Sequence, residues 1–132
     1  MTTSDLPAEG QPDVSTEGAE APFDDVITLS TSTGDDGVVT VTVVGEVDTF
    51  TAPVLRSTLD SQLDQQPKGL VIDLSGVQFL GSAGLAVLVE TQKSSRAREV
   101  ALSLIATTRA VTRPLEVTGL IDLFTIADSP AR

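Results

Sequence analysis

Hydrophobic and polar positions along this chain repeat first every two residues and then every three to four. The switches between the two periods mark its elements. Residues 26–31 largely alternate and predict a strand. The turn residues Gly34, Asp35, Asp36 and Gly37 follow, and 38–45 is then β-branched almost throughout, which predicts a second strand. The two strands read as an antiparallel hairpin. After them the period lengthens. Thr51 is a good helix cap, Pro53 suits the first turn, and Val54, Leu55, Leu59 and Leu63 recur at helical spacing to about residue 66. Pro67, Lys68 and Gly69 end that helix.

Residues 70–74 form a short, nearly continuous apolar run, as in a strand covered on both faces, and a tight turn at Ser75 and Gly76 is expected after it. Ser82 opens a second helix with Leu85, Leu88, Val89 and Gln92 on one face, fading over 93–96. Residues 100–106 predict another strand. Thr107 or Thr108 caps a third helix carrying Val111 and Leu115, short or kinked because Pro114 lies within it, and Gly119 stops it. Residues 123–126 suit a final edge strand. The order is β-β-α-β-α-β-α-β. Strands alternating with helices imply βαβ crossovers, so the fold class is α/β with a mixed, mostly parallel sheet and an N-terminal antiparallel hairpin.

Composition narrows the chemistry. The chain has 132 residues, enough for one domain, and contains no Cys, His, Trp or Tyr. Disulfides, thiolate metal sites and every nucleophile system that needs histidine are therefore excluded. The net charge is −11. Residues 1–25 hold seven acidic residues and no Lys or Arg, which accounts for −7 of it. That segment is rich in Ser, Thr, Pro and Gly, so residues 1–24 are expected to be a disordered acidic tail and 25–132 the folded domain. Nothing gives the basic footprint of a nucleic-acid or lipid binder. No secretory signal or membrane span is legible either, so a cytoplasmic, monomeric protein is expected.

The residues of interest gather around Ser82. The plain reading of Ser82 is a helix cap. The functional reading is a phosphoacceptor: a helix N-terminus tolerates a phosphate, and a partner surface bearing anions does not. Gly81 and Gly84 keep its surroundings small. Glu46 and Asp48 follow the second strand, either as solvated loop charges or as part of the same sheet edge, and Asp73 is expected to join them there. Ala86 and Val87 fall off the expected buried face of the second helix. They are read either as packing or as a small apolar patch beside Ser82.

Residues from about 26 to 127 resemble a STAS domain, specifically a bacterial anti-sigma factor antagonist. Three stretches carry the resemblance: Gly45-Glu46-Val47-Asp48, Val71-Ile72-Asp73-Leu74-Ser75-Gly76-Val77, and Phe79-Leu80-Gly81-Ser82-Ala83-Gly84-Leu85. Thr118-Gly119-Leu120-Ile121-Asp122-Leu123-Phe124 resembles the family's last helix and strand. The resemblance implies that the protein binds an anti-sigma factor that is also a serine kinase with a GHKL-type ATP fold, and so frees a sigma factor. Phosphorylation of Ser82 by that kinase would end the interaction, and a phosphatase would reset it. The ATP would belong to the kinase, so no cofactor is expected. Glu46, Asp48, Thr49, Asp73, Gly81, Ser82, Ala83, Gly84, Ala86 and Val87 would form the partner-binding surface.

The chain departs from the family pattern in two places. Gly81 stands where many members carry Asp, and Ala83 where many carry a second hydroxyl. Those departures support an alternative, a constitutive STAS interaction module in another signalling or transport complex. A third reading, from another class, is a small Mg²⁺-dependent phosphohydrolase or nucleotide binder using Asp48 and Asp73.

Overall fold

The computed structural model describes residues 27–127. The expected acidic tail at 1–24 lies outside the described residues. Strands β1 (Ile27–Thr33) and β2 (Val38–Val47) form the hairpin. Helix α1 (Ala52–Asp64), strand β3 (Gly69–Leu80), helix α2 (Ser82–Ala97), strand β4 (Ala101–Ile105) and helix α3 (Arg109–Val117) follow. A 3₁₀ turn (Leu120–Leu123) and strand β5 (Thr125–Ala127) complete the described chain. The sheet order is β1-β2-β3-β4-β5, with β1 antiparallel to β2 and the other pairings parallel. The α/β class and the hairpin expected from sequence are therefore present.

This strand order never reverses. Crossovers of one hand then leave their helices on the same face, and the core agrees. Leu55, Leu59 and Leu63 of α1, Leu85 and Leu88 of α2, and Val111 and Leu115 of α3 share one buried cluster with Val39, Val41, Val43, Leu70, Ile72 and Leu104 of the strands. A sheet without reversal also lacks the crevice in which doubly wound folds hold small ligands. What it offers at the carboxyl ends of its strands is a surface.

The largest departure from the sequence reading lies in β3. No turn interrupts it at Ser75 and Gly76; the strand continues to Leu80. Thr42 pairs with Asp73 but Val44 with Gly76, and Gly45 pairs with Val77 but Glu46 with Phe79. Each shift is a bulge that gives β3 one extra residue over β2. The buried positions consequently run Ile72, Leu74, Val77, Leu80, spaced by two and then by three and three. Alternation breaks at Leu74, which is why the run looks finished there. The bulges also need room: a Cβ on Gly76 would lie 2.9 Å from Val44 Cγ2, and Gly45 sits at φ 114.

The helices end much as expected. Gly119 takes φ 76 after α3, and Pro114 is accommodated within that helix. At the end of α2 the Val100 N–H donates to the Ser95 carbonyl (2.8 Å) and the Glu99 N–H to the Arg96 carbonyl (3.1 Å). This is a Schellman motif with a left-handed glutamate, φ 59, where glycine is usual. Helix α1 ends similarly at Gln66, φ 52, whose N–H donates to the Leu63 carbonyl; Pro67 supplies no N–H for the second bond.

The bulged register makes an opposite prediction from strict alternation, which would turn Gln78 inward and Val77 outward. Val77→Asp is expected to cost more than about 3 kcal/mol, because it buries an uncompensated charge. Gln78→Asp is expected to stay within about 0.5 kcal/mol of the parent. Urea unfolding of the two variants checks this, and the reverse ranking would refute the register.

Candidate functional site

The site is built where β2 and β3 end together. Val47 pairs with Leu80, and the Gly81 N–H then donates to the Val47 carbonyl at 2.9 Å, one rung beyond the strands. Gly81 is extended (φ −89, ψ −178) and is the residue before the helix; its carbonyl accepts the first helical bond, from Leu85 N–H at 3.0 Å. Ser82 is thus the first residue inside α2 rather than its cap. A cap must lie outside the helix to fold its oxygen back on the first turn, and that position belongs to Gly81, which has no side chain. The Ser82 side chain is exposed, and its hydroxyl has no hydrogen-bond partner among the described residues.

Gly84 is buried and is required by packing. A Cβ there would lie 2.6 Å from Val47 Cγ1 and 2.7 Å from Leu80 Cδ1, so the first turn of α2 sits directly on the ends of both strands. Its place in the expected partner surface is therefore corrected to a packing role beneath it. Val87 is corrected in the same way, being only 1% exposed. It lies three residues before Glu90, whose carboxylate pairs with Arg56 of α1, so it faces the neighbouring helix. A helix packed on both a sheet and another helix buries a wider arc than a single-faced pattern allows. Ala86, one turn beyond Ser82, is exposed, which takes the second of its two readings, and Ala83 is half-buried.

The segment after β2 is a closed hydrogen-bond network. Asp48 Oδ1 accepts from the N–H of Phe50 (2.9 Å) and of Thr51 (3.0 Å). Thr51 Oγ1 accepts from the Asp48 N–H (2.9 Å) and donates to the Glu46 carbonyl (2.8 Å). This is a capping box displaced one turn ahead of α1: Asp48 does the capping, and Thr51 reaches back to it. Thr51 itself, buried and helical (φ −95, ψ −19), makes no cap bond to α1, contrary to the expectation from sequence. Asp48 is thereby a structural residue of the turn that presents exposed Glu46, Thr49 and Phe50.

Asp73 does not join this group. It pairs with Thr42, seven residues back along β3 from Leu80, and so lies on the order of 20 Å from Ser82. Its Oδ1 accepts from the Ser75 N–H (3.0 Å) and hydroxyl (2.7 Å), bracing the first bulge. The structure thus separates the two carboxylates of the Mg²⁺ reading, with Asp48 satisfied by backbone donors. Among the described residues no helix is long and apolar enough to cross a membrane.

The STAS domain model matches residues 30–132. The chain belongs to the STAS domain family. The anti-sigma-F factor antagonist RsfB of Mycobacterium tuberculosis is 35% identical over 67% of this chain and 72% of its own length. An anti-sigma-B factor antagonist of Listeria monocytogenes is 33% identical over 76% of this chain and 88% of its own. The crystal structure of an anti-sigma factor antagonist from Mycobacterium paratuberculosis superposes with a TM-score of 0.74 at 38% identity, covering 84% of this chain and 92% of that one. These relatives are anti-sigma factor antagonists, which are regulatory binding proteins.

If Asp48 acts through its acceptor oxygen, Asp48→Asn retains most of the stability, whereas Asp48→Ala loses about 1 kcal/mol, as for other cap removals. Thr51→Val leaves a strand carbonyl and an N–H without their partner and is expected to cost about 1–3 kcal/mol. Chemical denaturation of the three variants checks this ranking; equal loss in Asp48→Asn and Asp48→Ala would mean that the charge, not the acceptor, matters.

Proposed function

We propose that this protein is an anti-sigma factor antagonist that binds an anti-sigma factor serine kinase through the surface around Ser82 and is released when that serine is phosphorylated. The supporting observation is the Ser82 hydroxyl itself: exposed, the first residue of a 16-residue helix, and without a hydrogen-bond partner among the described residues. A kinase can reach it without opening the fold. Phosphorylation adds about −1.5 to −2 charges. The N–H groups of the first helical turn, at the positive end of the helix dipole, accept that charge. The fold is therefore unaffected, while a partner seated on the surface meets a new dianion.

Glu46, Thr49, Gly81, Ala83 and Ala86 surround the acceptor in this reading, and Asp48 shapes the turn beside it. The partner carries the ATP, a phosphatase removes the phosphate, and the cycle belongs to the cytoplasm. Ala83 leaves Ser82 as the sole hydroxyl of the segment between Leu80 and Leu85.

The experiment is an intact-mass time course with Mg-ATP and each purified GHKL-type serine kinase of the source genome, with calorimetric binding alongside. One kinase is expected to add a single phosphate, absent in Ser82→Ala. Ser82→Glu is expected to weaken binding of that kinase at least a hundredfold with an unchanged circular dichroism spectrum. A kinase that binds tightly but never adds phosphate would instead support the constitutive module.

A further inference from the structure

Six large apolar side chains are conspicuously exposed among the described residues, and four of them, Val44, Phe50, Val54 and Phe79, lie on the last part of β2, the turn after it, the first turn of α1 and the end of β3. Phe79 has the most specific setting. The residue is 51% exposed, yet a Cβ on Gly81 would lie 3.0 Å from its Cε2 and 3.3 Å from its Cζ. The tip of the ring therefore lies over the bare α-carbon of the residue immediately before Ser82. The second bulge of β3 sets this up, since it places Phe79 opposite the exposed Glu46 while Leu80 keeps the core position opposite Val47.

We infer that Phe79 and Gly81 act as a pair that selects the partner at Ser82, the ring docking into an uncharged apolar socket on the kinase. This rests on the reading of Ser82 given above. A partner that reaches the Ser82 hydroxyl must cover Gly81, one residue or about 3.8 Å away along the backbone, and the ring lies on Gly81. The exposed part of an aromatic residue is then removed from water beside the serine, where aromatic anchors contribute most. A β-carbon at 81 would press on the ring edge at 3.0 and 3.3 Å and make it give by a few tenths of an ångström, and a carboxylate would also place a charge against the socket. The pair therefore favours a kinase with an apolar surface beside its active site over one with a cation there.

The test uses the full-length chain and the purified kinases of the source genome, read by titration calorimetry. Phe79→Ala and Gly81→Asp are each expected to weaken binding of the cognate kinase at least tenfold. Their double variant is expected to lose less than the sum of the two single losses, because part of the Gly81→Asp loss acts through the ring that Phe79→Ala removes. Phe79→Trp introduces the only tryptophan in a chain that has none and no tyrosine. It keeps an aromatic ring should Phe79→Ala fail to fold, and its emission is expected to shift to the blue on binding. Phe79→Ala binding within twofold of the parent, fully additive losses, or a Phe79→Trp complex without a spectral shift would each overturn the pair while leaving Ser82 as the switch. Failure of the parent chain to bind any of the kinases would overturn both readings together.

Discussion

One hydrogen bond, from the Gly81 N–H to the Val47 carbonyl, holds the two halves of the site in register. It is the last rung of the parallel β2–β3 pairing. On one side of it β2 turns at Asp48 into α1; on the other β3 gives way to α2. Parallel strands that end level must send both following segments out at the same edge, and this bond makes them level to within one residue. Gly84 closes the arrangement from the helix side. With no side chain, it lets α2 start in contact with Val47 and Leu80, so the exposed serine stands on a fully packed base.

That level ending depends on the bulges. β4 pairs with β3 only as far as Asp73 and Ile105, so the last seven residues of β3 run on beside β2 alone. A regular strand of that length would turn one apolar side chain in every two to the core. Two inserted residues instead give spacings of three, with Leu74, Val77 and Leu80 inward and Ser75, Gln78 and Phe79 outward. The bulges add twist to this extension, which keeps β1 on the far side of β2 as far as Gly45 and has no β4 on its own far side. Asp73, which looks like a site residue in the sequence, is spent on stabilising the first of these bulges.

The parts of this fold legible in the sequence were those governed by a single period. β1, β2 and β4 alternate or run apolar over five residues or more, and α1 repeats Leu55, Leu59 and Leu63 on one face. The end of β3 was not legible, because bulges replace period two with a three-residue spacing that resembles neither a strand nor a long helix. The burial of Val87 is hidden for a related reason: a one-faced pattern cannot register that α1 packs against the flank of α2. Thr51 shows a third kind of limit. Its residue type marks a cap correctly, but Asp48, three residues earlier, competes for the same role with a longer-reaching acceptor and takes it. The position of Ser82 at a helix start is legible because small residues around a lone hydroxyl are a local feature, readable without tertiary context.

The placement of Ser82 bears on how such a site can be regulated. A serine that capped the helix would lose its backbone bond on modification, and the helix start would have to adjust. At the first helical position, with Gly81 holding the cap, the hydroxyl has no structural bond to lose among the described residues. Adding or removing charge there changes what the surface repels and leaves the packing beneath it alone. The tightest contact of the first turn is made by Gly84, on the opposite side of the helix from the serine. The neighbouring ring belongs to the same surface: Phe79 is half exposed and its edge lies over the backbone of Gly81.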